Sequence, residues 1–183
     1  MKKTIGTILM TVLMLTMLTA CGTNGNDSKE PAVKNDVAVE ELFTKVSEKL
    51  GENYYPNQRI TGSEATELYG LTLDNCEEVI AELPMISTNA DLLLIAKAKE
   101  GKVEDVKAEI ETLRESKVND TMQYPMNVQK TAASSVEVIG NYVAYVQLGG
   151  SAVELETDEE IKAACEEDNK TAITVIQETL QAN

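Results

Sequence analysis

Apolar positions recur along this chain with two periods, and the period changes mark its elements. Val39, Leu42, Phe43, Val46 and Leu50 follow at i, i+3, i+4, i+7 and i+11, the stripe of a one-faced helix. Asp36 offers its N-cap, and Gly51 stands where a helix-terminating glycine belongs. Val103, Val106, Ile110 and Leu113 repeat the helical pattern over 102–117, with Glu104, Lys107, Glu111, Arg114 and Glu115 on a solvated face. Ile161, Ala164, Cys165, Ala172, Val175, Ile176 and Leu180 form a third stripe behind a capping box, Thr157-x-x-Glu160. Asp168 interrupts it and predicts a break into two shorter helices. A second capping box, Thr61-x-x-Glu64, opens a short helix ending near Tyr69-Gly70. The polar stretch 119–134, with Tyr124-Pro125, has room for one or two more helical turns.

The strand signals lie between these helices. Residues 92–98 (LLLIAKA) have the length and bulk of a strand buried on both faces. The preceding segment is ambiguous, since Cys76, Ile80 and Leu83 fit a helix while Val79, Ala81 and Leu83 alternate. An antiparallel partner directly before 92–98 favours a strand over 78–83, with Pro84 at its end. Residues 136–148 form a hairpin about Gly140-Asn141, a two-residue connection of the II′ sort. Pairing Ile139 with Tyr142 places Val136, Val138, Val143 and Tyr145 on one face and Ile139, Tyr142, Ala144, Val146 and Leu148 on the other. The second hairpin strand is apolar on both sides and should be central. Together these give an α/β chain of the α+β type: a small, largely antiparallel sheet of about four strands packed by three or more helices.

The N-terminus has a different pattern. Lys2 and Lys3 precede a charge-free apolar run from Thr4 to Leu18, shorter than the roughly 20 residues a membrane-spanning helix needs. A basic start, a short apolar core and small residues at its end describe a secretory signal. Leu18-Thr19-Ala20-Cys21 then resembles the lipobox of bacterial lipoproteins. The resemblance implies cleavage between Ala20 and Cys21 and a diacylglyceryl group on the Cys21 thiol. Two acyl chains anchor stably where one does not. The expected organisation is a signal peptide over 1–20, a lipidated cysteine and polar tether over 21–35, and one domain over 36–183. As a coil, the tether would reach roughly 20 Å.

Composition narrows the function. Asp and Glu number 31 against 16 Lys and Arg, a net −15, and both leader lysines leave with the signal. Such a domain lacks the basic footprint of a nucleic-acid binder and the cations that hold a surface to anionic lipid. Its membrane partner is therefore reached through the lipid on Cys21, and any other partner is a protein or cell-wall component at the extracytoplasmic face. The chain has no histidine, which removes the Ser-His-Asp and Cys-His arrangements and most zinc sites. No calcium loop, phosphate loop, nucleophile elbow, metal set or cofactor motif is present. Carboxylate clusters at 77–78, 158–160 and 166–168 read as solvated helix surface. Cys76 and Cys165 read as two partly buried thiols in preference to a disulfide. The candidate ligand contacts are Tyr54 and Tyr55, adjacent in a loop, and Tyr142; the competing reading closes these rings over a core edge.

Leu68-Tyr69-Gly70, Glu82-Leu83-Pro84-Met85, Ala90-Asp91, Ile95-Ala96-Lys97-Ala98-Lys99 and Gly140-Asn141-Tyr142-Val143 resemble a family of small bacterial lipoproteins known only as a domain of unknown function. The resemblance covers about 36–150 and implies a fold, with no reaction, ligand or catalytic residue attached. The expected function is a lipid-anchored, non-enzymatic binding or accessory module at the cell surface. The alternative is a carboxylate-dependent hydrolase of cell-wall polymers.

Overall fold

The run Leu92–Ala98 is apolar at nearly every position because it has no solvent face: it is the central strand of a sheet covered on both sides. The computed structural model describes residues 32–181. Leu18–Cys21 and most of the proposed tether lie outside them. Five strands, β1 (Gln58–Thr61), β2 (Cys76–Leu83), β3 (Leu92–Ala98), β4 (Ser135–Ile139) and β5 (Tyr142–Gln147), form one sheet in the order β1-β2-β3-β5-β4. Every neighbouring pair is antiparallel. The sheet thus exceeds the expected four strands by β1, a short edge strand within what reads as a loop. Its pattern gives little sign of pairing, since only Ile60 among its four residues is buried.

The two-residue period decides which helix meets which face. Leu93, Ile95, Tyr142, Ala144 and Val146 point to one side, against α1 (Val39–Leu50) and α5 (Asp158–Leu180). Leu92, Leu94, Ala96, Val143 and Tyr145 point to the other, against α2 (Gly62–Tyr69) and α3 (Val103–Val118). The result is a helix–sheet–helix sandwich, with α4 (Pro125–Ala132) closing one end. In the hairpin, Ile139 pairs with Tyr142, the register expected from the alternation, and Gly140 takes the positive φ of 59° that the tight connection needs.

Three local expectations change in the tertiary context. Asp36 does not cap α1: Ala38 is the N-cap, and the Val39 N–H donates to Glu78 Oε2 on β2 at 3.1 Å. Thr61 precedes α2 without making a side-chain cap, whereas Thr157 accepts from the Glu160 N–H as expected. Asp168 does not break the last helix. α5 runs unbroken for 23 residues, and Asp168 faces inward. Residues 33–35 also pack on the domain. Val33 forms a bridge with Gln181, the Lys34 N–H donates to the Leu180 carbonyl at 2.8 Å, and Asn35 Oδ1 accepts from the Asn141 N–H.

Candidate functional site

Two connecting segments and a helix meet at one end of the sheet, where β3 begins and β5 stops. Asn89 and Asp91 come from the β2–β3 connection and Lys130 from α4, while Gly149 follows β5. Pro125 at the first turn of α4 starts that helix directly after Tyr124, and its buried face carries Asn127, Lys130 and Thr131. Asn127 Nδ2 donates to the Thr88 carbonyl at 2.9 Å, tying α4 to the β2–β3 connection. Lys130 Nζ donates to Asn89 Oδ1 at 2.9 Å and pairs with Asp91 Oδ1. Lys130 is 6 % exposed and Asp91 2 %. Ions so far from water are retained only when paired.

The pair is not fully satisfied. Asp91 Oδ2 is buried without a hydrogen-bond partner. Burial pushes the Asp91 carboxyl above its ordinary range; Lys130 works in the opposite direction, and Asp168 adds to the rise. Gly149 passes so close that a Cβ there would stand 2.6 Å from both Lys130 Cε and Cys165 Sγ. Beside it, a Cβ on Gly150 would stand 1.9 Å from the Asn53 carbonyl oxygen. The paired glycines let the chain after β5 pack against both neighbours.

Above the pair opens a groove of about 340 Å³, within the range of ligand and side-chain pockets. Ile86 and Met126 form two of its walls, Val153 and Leu155 a third, and Tyr55 also lines it. Ile86, Met126 and Val153 are 68 %, 64 % and 61 % exposed. Contiguous exposed apolar patches are uncommon on protein surfaces and are often functional. Among the described residues, Lys130 is the only charged side chain in the lining, and no carboxylate is in it.

Two buried polar residues of α5 hold the third wall in place. Asp168 Oδ2 accepts from the N–H and hydroxyl of Ser151 at 3.0 and 2.8 Å. Asn169 accepts from the Leu148 N–H at 2.7 Å and donates to the Ala133 carbonyl at 2.9 Å. What reads in sequence as an interruption of the apolar stripe is a clamp. Consecutive polar residues inside an otherwise regular helical stripe were the available signal.

The three tyrosines separate. Tyr55 lines the groove. Tyr54 points elsewhere, its hydroxyl donating to Glu82 Oε2 at 2.6 Å. Glu82 is buried and also accepts from Arg59, which reaches on to Glu40 at 2.7 Å. Burial, and next the Glu82 carboxylate, push the Tyr54 phenol far above its ordinary range. Tyr142 is a core residue, wholly buried, with its hydroxyl donating to the Val37 carbonyl at 2.6 Å. Lys97 pairs with Glu77 at 3.0 Å. Cys76 and Cys165 are free, buried, and packed in different apolar clusters; burial pushes both thiols up to about 11. Among the described residues, no group of three or more His, Cys, Asp or Glu could hold a metal ion, and no helix is long and apolar enough to cross a membrane.

The geometry defines a class: a small antiparallel α+β domain carrying an apolar groove over a buried ion pair at one end of its sheet. The chain belongs to the family described as a domain of unknown function, DUF4358, whose model matches residues 34–148. That match contains the whole sheet and α1 to α4, including Asp91 and Lys130; α5 and the third groove wall lie beyond it. Neither curated proteins nor solved structures give a match.

Proposed function

We propose that this protein is a lipid-anchored, extracytoplasmic binding module, held at the cell membrane through acylated Cys21 and presenting the groove to its partner. The anchor rests on Leu18-Thr19-Ala20-Cys21 behind a basic, apolar leader. The observation that carries the binding role is the placement of the groove. The chain comes into the domain where Val33 meets Gln181, at the C-terminal end of α5. Ile161, near the other end of α5, lines the groove. At 1.5 Å per residue the two points lie about 30 Å apart along that helix, so residue 33 joins the domain at the end of α5 away from the groove.

Hydrolysis by carboxylates has less support. Among the described residues no Asp or Glu lines the groove, and the buried Glu82, Asp91 and Asp168 are each engaged by donors from neighbouring elements.

Cell fractionation tests the anchor. Cys21→Ser should move the protein from the membrane pellet to the soluble fraction in detergent-free lysate, and a variant still sedimenting with membranes would refute it. Site-directed photocrosslinking from Ile86 and Val153 on intact cells tests the groove: discrete adducts are expected there and not from Glu67 on α2. Equal labelling from all three positions would refute the binding role.

A further inference from the structure

We infer that the groove seats an amphipathic helix of a protein partner, with aliphatic side chains inserted between Ile86, Met126 and Val153 and with Lys or Arg flanking that stripe. This rests on the groove being the binding site and adds the chemistry of what binds.

Three observations point to this occupant. The groove is built from side chains of a turn, a helix and a loop, and offers no unpaired strand edge; an extended peptide would find no backbone ladder, while a helix brings its own hydrogen bonds and needs only an apolar trough. The trough is wide-mouthed and includes an exposed methionine, whose flexible, polarizable side chain adapts to the ridges of a helix. The strongest is charge. The third wall runs directly into Glu154, Glu156, Asp158, Glu159 and Glu160, all exposed, with no Lys or Arg between 153 and 160. Val153 and Leu155 alternate with the first two of these acids, so each apolar contact on this wall has an exposed carboxylate next to it in sequence. A partner with basic flanks is attracted at both levels; an anionic amphiphile would have to approach a net charge of −15 through that rim. Lys130 does not reverse the preference, because Asp91 neutralises it at the floor.

The test is an NMR titration of the ¹⁵N-labelled domain with three probes: an amphipathic helical peptide with a Leu stripe flanked by Lys, the same stripe flanked by Glu, and dodecanoate. The Lys peptide is expected to shift the amides of Ile86, Met126, Val153 and Leu155 and to bind at least about tenfold more tightly than the Glu peptide, a margin that shrinks as salt is raised. Glu154→Lys with Glu156→Lys, exposed substitutions that leave the fold intact by its amide spectrum, should remove that margin, and Ile86→Asp should weaken both peptides. Equal affinity of the two peptides, or shifts confined to another face, overturns the inference. Shifts at the groove with dodecanoate but neither peptide overturn it while leaving the groove as a binding site. No shifts at the groove with any probe overturn both.

Discussion

Lys130 and Asp91 form an ion pair with almost no access to water, one partner from α4 and the other from the start of β3's approach. The pair joins the end helix to the sheet and forms the floor of the groove, so stability and site geometry depend on the same contact. Lys130→Met should destabilise the domain by about 3 kcal/mol at neutral pH, since removing one partner strands a buried charge. Asp91→Asn together with Lys130→Met should recover a good part of that. Chemical denaturation of the single and double variants measures it, and a single variant as stable as the parent would contradict the coupling.

The same pair sets a pH dependence. The folded-state pKa of Asp91 lies above 3.8, so native protein keeps this proton where the unfolded chain has released it. Its contribution to stability therefore declines as pH rises from about 4. Lys130→Met removes the cation that holds the pKa down, so the variant's deficit should widen between mildly acidic and neutral pH. A deficit that stays constant or narrows with rising pH would be the wrong sign.

Gly150 should be intolerant of any side chain. Its missing Cβ leaves room for the Asn53 carbonyl, and Gly150→Ala should cost about 3 kcal/mol by forcing backbone apart from backbone. Gly149→Ala presses on the Lys130 chain and the Cys165 thiol, side-chain atoms with more freedom to move, and should cost less while perturbing the groove amides. Thermal unfolding ranks the two, and the reverse order would show that the close approach at Gly150 is not maintained.

The tyrosines divide between fold and surface. Tyr54→Phe should lose about 1–2 kcal/mol, because its hydroxyl helps satisfy the buried Glu82 carboxylate. Tyr142→Phe should lose about 1 kcal/mol through its bond to Val37. Neither should change peptide titration at the groove, whereas Tyr55→Ala should weaken it with little loss of stability. A binding defect in Tyr142→Phe would return that residue to the site.

Both thiols should stay unreactive in native protein. With each pushed up to about 11 by burial, the nucleophilic thiolate is scarce as well as inaccessible. Ellman's reagent should label Cys76 and Cys165 on the unfolding timescale and at once in denaturant; rapid labelling of either in the native state would contradict their burial.

Elements governed by their own residues were legible from the sequence. The α1 stripe, β3, the register of the β4–β5 hairpin, the Thr157 cap and the central place of β5 all follow from side-chain period and turn chemistry, which act within a few residues. What depended on distant partners was not legible. β1 is a strand because β2 offers an edge, and the first turn of α1 is satisfied from Glu78 on β2. Asp168 reads as a helix break until Ser151 folds back onto it, and nothing in the polar stretch 119–134 singles out Lys130 until Asp91 and Asn89 enclose it. The groove exists only where the loop after β2, α4 and the chain after β5 meet, because burial and charge pairing are properties of the assembled surface and not of any one segment.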